Sequence, residues 1–173
     1  MQYAHNQWLA LMLQQYEPYF DITTYDDDTP LKNQCVFHSR SEKYVLSKKA
    51  QLWAAETNEY LYIFSVPTLN LDTYTACRDR ALALGMELVQ PHSEHMYSYI
   101  TAIILYDEAE ENALQALQQY KKSQNFKLSL HGWMEYRIAA VNVHTHAISA
   151  NKSGKDVKQF LQNISRVIKN QSQ

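Results

Sequence analysis

Tyr60-Leu61-Tyr62-Ile63-Phe64 decides the fold. A strand with one face in water alternates apolar and polar residues, whereas this one is apolar at odd and even positions alike. The stretch therefore predicts a central strand covered on both sides. Tyr99 to Tyr106 repeats the pattern. Between the two strands, Asn70 precedes a run in which Tyr74, Cys77, Ala81 and Leu84 recur at helical spacing, with Gly85 expected as the residue just past the helix end.

Working outward, two hairpins are expected upstream. Cys35-Val36-Phe37 and Tyr44-Val45-Leu46 flank a polar turn at 39–42. Gln51 to Ala55 and Tyr60 to Val66 flank another at 56–59. A helix over about 3–16 carries Trp8, Leu9, Met12, Leu13 and Tyr16 on one stripe and stops before Pro18, and Phe20 to Tyr25 reads as a short strand.

Downstream, Glu87 to Gln90 reads as a strand. Asp107, with Glu110 three residues on, reads as a helix start whose stripe is Ala113, Leu114, Leu117 and Tyr120. Phe126 to Leu130, Met134 to Val143 and Ala147 to Ala150 read as strands. Ser153 is expected to cap a last helix bearing Val157, Phe160, Leu161, Ile164 and Ile168. The expected fold class is α+β: a mixed, largely antiparallel β-sheet with helices packed on it, in a single domain over 1–173.

Composition narrows the function. The net charge of −2 hides a split: seven Lys/Arg against sixteen Asp/Glu in residues 1–120, nine against two in 121–173. Either the two parts attract each other within one fold, or the basic part faces an anionic partner. Three glycines are too few for a P-loop or a dinucleotide-binding loop, which need backbone that glycine supplies at low cost. Thirteen tyrosines suit strands and binding faces, since Tyr joins an apolar body to a polar tip. Cys35 and Cys77 match no zinc or redox spacing and read as buried free thiols. With no signal-peptide pattern and no apolar run long enough for a membrane span, a cytoplasmic location is expected.

Chemistry-bearing residues fall into four groups. His92-Ser93-Glu94-His95 places two imidazoles three residues apart on a loop, as metal ligands, with Glu94 as a base. Glu59, with Glu56 beside it, is a second candidate base that together with Glu94 offers carboxylates to a divalent metal, although the Glu-x-Lys pattern of a restriction-type nuclease is missing. His144-Thr145-His146 has the i, i+2 spacing of ligands on one strand face, with a hairpin turn as the competing placement, and His131 is a third imidazole available to either pair. Asn151-Lys152-Ser153-Gly154-Lys155 lies between a strand and a helix but fails the nucleotide-loop pattern. What survives is capture of a small anion at the helix N-terminus by Lys152, Gly154 and Lys155.

Gly132-Trp133 followed by Arg137 and Val141, Asn151-x-x-Gly154-Lys155, Glu59 before an aromatic-rich strand, and His95-Met96 together give a pattern that resembles a small bacterial domain family with no assigned function. The resemblance spans most of the chain, implies no activity and carries over no site residues.

Three function classes follow. The first is a non-catalytic binding or regulatory protein, whose partner is another protein or a small anionic ligand, with homodimerisation through Tyr-rich strands. The second is a metal-dependent phosphoester hydrolase using His92 and His95 as ligands of a divalent metal. The third is nucleic-acid binding through the basic residues of 121–173 and the interleaved Phe126, Trp133 and Tyr136.

Overall fold

The computed structural model describes residues 2–44 and 51–171. Seven strands form one mixed sheet between two pairs of helices. The order along the chain is α1 (Gln2–Tyr16), β1 (Asp21–Thr24), β2 (Leu31–Tyr44), β3 (Gln51–Leu69), α2 (Leu71–Leu88), β4 (His95–Ala109), α3 (Glu111–Gln119), β5 (Ser123–Asn125), β6 (Trp133–Asn142), β7 (Ile148–Ala150) and α4 (Lys155–Gln171). Strands neighbour one another as β1-β2-β3-β4-β6-β5, with β7 also on β6. The pairs β3/β4 and β4/β6 are parallel, and the other four pairs are antiparallel. The sheet is therefore mixed and largely antiparallel, and it is covered by helices as the sequence predicts.

The two-sided apolar strands are explained by the two layers. Tyr60, Tyr62 and Phe64 face α2 and α3, where they meet Tyr74, Cys77, Ala81, Ala113 and Leu117. Leu61 and Ile63, with Ile103 and Leu105 of β4, face the opposite way onto Trp8 and Met12 of α1 and Val157, Leu161 and Ile164 of α4. Because side chains alternate along a strand, one continuous apolar run supplies both cores.

Several local expectations are corrected. The polar segments 39–42 and 56–59 are not turns. β2 and β3 run straight through them in register, with Ser39 opposite Thr57 and Arg40 opposite Glu56. Neither segment has turn chemistry, and polar residues suit strands at a level where one face lies in water. Val45 and Leu46, assigned to the first hairpin, lie outside the described residues. Gly85 does not end α2. The helix continues to Leu88 and the glycine is packed against Ile100, whose side-chain carbons would lie 2.7–2.8 Å from any added Cβ. There is no strand at 87–90, where α2 finishes. Asp107 stays in β4, and α3 starts after Glu110 without a side-chain cap. Residues 126–130 form the turn between β5 and β6 rather than a strand. Asn151 rather than Ser153 caps the last helical segment, a 3-10 turn at Lys152–Gly154 that leads into α4. Among the described residues, no helix is long and apolar enough to cross a membrane.

Candidate functional site at the start of the parallel strands

The parallel strands β3, β4 and β6 begin side by side. Glu56 is the register partner of His95, and Tyr97 is the partner of Trp133. The loops before β4 and β6 therefore meet at one end of the sheet.

On the α2/α3 side of this end, charge is tightly paired. His92 Nε2 lies 2.8 Å from Glu56 Oε2, and the Glu94 N–H donates to His92 Nδ1 at 3.2 Å. The Nδ1 thus accepts and the Nε2–H donates to the carboxylate. Arg40 Nη1 reaches Glu56 Oε1 at 2.6 Å and Glu94 Oε2 at 2.5 Å. Burial raises the Glu56 carboxyl, but the hydrogen bonds from Arg40 and His92 outweigh it and hold the group below its usual range. Glu94, proposed as a base, has an arginine salt bridge.

His95 is buried and both its nitrogens are engaged. Nδ1 lies 2.7 Å from the His131 carbonyl oxygen and Nε2 lies 2.8 Å from Ser98 Oγ. A carbonyl only accepts, so Nδ1 carries the hydrogen and Nε2 accepts from the Ser98 hydroxyl. The chain of bonds continues from Asn58 Nδ2 to Ser98 Oγ at 3.5 Å and between His38 Nδ1 and Asn58 Oδ1 at 2.5 Å. No ring nitrogen of His95 is left for a metal. The His92 and His95 rings lie 6.2 Å apart between centroids and serve different partners. His131 contributes its backbone rather than its ring.

Glu59 lies on the opposite sheet face, because it is three positions from Glu56 on a strand. It pairs with Arg137, whose guanidinium also donates to Thr101 Oγ1 at 3.1 Å and lies 3.9 Å from the Tyr99 ring centre. Burial raises the Glu59 carboxyl more than Arg137 lowers it. Neither Glu56 nor Glu59 has a lysine two residues on; Asn58 and Leu61 stand there. The structure does not bring His92, Glu94, His95 and Glu59 together, and among the described residues no three His, Cys, Asp or Glu side chains are placed to hold a metal ion.

The pair His144/His146 also separates. His144 Nε2 lies 2.6 Å from Asp107 Oδ1, whereas His146 packs edge-on against Trp8 and shares a hydrogen bond with Ser165 Oγ. At the start of α4, the Gly154 N–H is already taken by Asn151 Oδ1 at 2.9 Å. Asn151 Oδ1 and the Ile138 carbonyl would each lie 2.8 Å from a Cβ at 154, so this glycine is required by packing. Lys152 instead joins Lys121 and Lys122 around a recess of about 370 Å³ that also holds Ser123, Glu135 and Ser153. Cys35 and Cys77 are buried. Burial pushes both thiols up to about 12, with Glu59 adding to the effect at Cys35, so neither is a nucleophile.

Two features of this end were not legible from sequence patterns. Lys127, Leu128 and Ser129 form a left-handed turn, with φ of 46°, 53° and 70°. It displays Leu128 at 96% and Leu130 at 75% exposure, near Met96 at 53%. Met96, Ser129, Gly132 and Trp133 line one shallow recess. On the α1/α4 side, the half-buried Tyr97 and Trp133 rings stack at 5.2 Å and Tyr99 meets Trp133 edge-on at 5.6 Å. The turn is pinned by the His95 hydrogen bond to His131 and by Gly132. At Gly132, φ is +75° and a Cβ would meet the His95 and Met96 carbonyl oxygens at 2.5 Å. The alternation of Phe126, Leu128 and Leu130 is what suggests a strand here, and three adjacent left-handed residues have no sequence signature without glycine or asparagine.

No curated protein and no solved structure matches the chain. Residues 4–163 match the family described as a domain of unknown function (DUF8052), and the chain belongs to that family.

Proposed function

We propose that this is a binding domain that docks an apolar protein surface with the sheet end at which β4 and β6 begin. The observation that carries the reading is the exposure of Leu128 and Leu130 on a strained turn. Left-handed backbone costs roughly 1–2 kcal/mol per non-glycine residue, and such strain clusters where function needs a fixed shape. Exposed aliphatic side chains beside Tyr and Trp are the composition of a binding patch. The reading is tested by light scattering for self-association and by partner capture on immobilised protein, each with native chain and with L128S/L130S. Association that the double variant loses supports it. Absence of association with native protein, or association that the variant retains, overturns it.

A second reading rests on the recess ringed by Lys121, Lys122 and Lys152. Three ammonium groups around one opening suit a phosphate-bearing ligand. Its binding weakens steeply with salt if the contacts are to phosphates. Salt-independent titration curves with inorganic phosphate and with a short single-stranded oligonucleotide, or none at low salt, would rule it out.

A further inference from the structure

A third cluster lies at the other end of the sheet, where β3 and β4 finish. Ser65 shares a strand face with Leu61 and Ile63, and Asp107 shares one with Ile103 and Leu105, so both point towards α1. His5 lies three residues before Trp8 on the buried side of α1. The topology brings the three together. Ser65 Oγ lies 2.8 Å from His5 Nδ1, and His5 Nε2 lies 3.2 Å from Asp107 Oδ1.

The direction of these bonds is set by the carboxylate. An ionised Asp107 only accepts, so the His5 proton resides on Nε2 and Nδ1 offers its lone pair to the Ser65 hydroxyl. Asp107 is held in place by a second imidazole, His144, at 2.6 Å. Hydroxyl, base and orienting carboxylate thus stand in the sequence that activates a serine, recognised by geometry and not by motif. The ring is turned relative to the commoner arrangement, with Nδ1 as the base.

The group opens to solvent. Ser65, His5 and Asp107 line a cleft of about 240 Å³ whose apolar wall is Leu9, Pro67 and Leu105. Asn6 and Lys32 complete it. The Ser65 N–H donates to the Pro30 carbonyl at 2.8 Å, so it does not serve an oxyanion. Lys32, whose ammonium spends one hydrogen bond on the Asp27 carbonyl, and the Asn6 amide are the donors the cleft offers to developing negative charge.

We propose that Ser65 is a nucleophile activated by His5 and oriented through Asp107, acting on small carboxylic esters whose acyl group fills the cleft. Ser65 Oγ bonds to the ester carbonyl carbon while its proton passes to His5 Nδ1. The carbon–oxygen bond to the alcohol breaks, and the alcohol leaves with that proton. Water then attacks the acyl-serine, giving its proton to His5, and the carboxylic acid departs as Ser65 regains its hydrogen. Ser65 and His5 are the catalytic residues, and Asp107 is a positioning residue.

The test is reaction with an alkyl fluorophosphonate, followed by mass spectrometry of the intact chain and its peptides. Serine displaces fluoride from phosphorus, so the adduct reports activation without turnover. Native protein is expected to take one adduct, on Ser65, and S65A none. H5Q is expected to react at least ~100-fold more slowly, the lower range for a general base. D107N slows the reaction and shifts its pH profile, and D107E restores part of the rate. L128S/L130S, at the opposite end of the sheet, reacts at the native rate, which separates this site from the docking surface. Should H5Q fail to fold, native chain compared with urea-unfolded chain decides. Ser65 labelling confined to the folded state supports the proposal. No adduct at Ser65, or equal rates in folded and unfolded chain or in native and folded H5Q, overturns it.

Discussion

Arg137 reaches across β4 to Glu59, so that one ion pair ties β6 to β3 beneath the Tyr99 ring. The guanidinium is buried and the carboxylate mostly so. Removing one partner strands the other. R137M is expected to lose roughly 3–5 kcal/mol in urea unfolding, whereas the apolar double variant E59L/R137M recovers most of that. A single variant within about 1 kcal/mol of native would show that water reaches Glu59 freely.

Asn151 is a structural hub and not a ligand residue. Its Oδ1 accepts from the Gly154 and Ile138 N–H groups, and its Nδ2 donates to the Tyr120 and Tyr136 carbonyls. N151A removes all four of these side-chain hydrogen bonds in a buried place, and of the four backbone groups the Gly154 N–H keeps the Asn151 carbonyl as a partner. It is expected to destabilise the chain by at least ~2 kcal/mol. A midpoint of thermal unfolding unchanged from native would refute this.

Asp107 gives a pH signature. Burial raises its carboxyl, but the His144 hydrogen bond and the nearby His5 outweigh this and hold it below the ordinary 3.8. A lowered folded-state pKa contributes stability that is complete above the unfolded value and is lost as pH falls through the folded one. The stability gap between native and D107N is thus constant at neutral pH and closes as pH drops below 3.8. A gap that persists into strong acid would contradict the lowered pKa.

His95 is expected to act as the anchor of the 126–132 turn. H95A removes the tie to the His131 carbonyl and the acceptor for Ser98. Hydrogen exchange at the Leu130, His131 and Gly132 amides, which bond within the turn, should quicken by at least ~10-fold while the β3 amides keep their native protection. Uniform quickening over the whole sheet would mean that His95 supports the fold at large.

The layers were legible because burial on both faces of a strand leaves a composition mark, as at Tyr60 to Phe64. Strand ends were not, since polar residues at 39–42 and 56–59 look alike whether a chain turns there or runs on with one face in water. The histidine pairs were visible as spacing, yet spacing is silent about partners. His95 bonds to the backbone of residue 131, and His144 to a carboxylate 37 positions away. Ser65, His5 and Asp107 come from three elements, and only the sheet order, with α1 laid along it, brings them together.

The sheet order has a consequence for synthesis. β1, β2, β3, β4 and β6 are neighbours in the order in which they leave the ribosome, so each strand arrives beside a finished one. The first helix departs from this sequence. The Trp8 indole donates to the Val143 carbonyl, and Tyr16 packs on Phe160 of α4. Helix α1 therefore waits for a partner synthesised 135 residues later, and its apolar face stays exposed on the nascent chain until then.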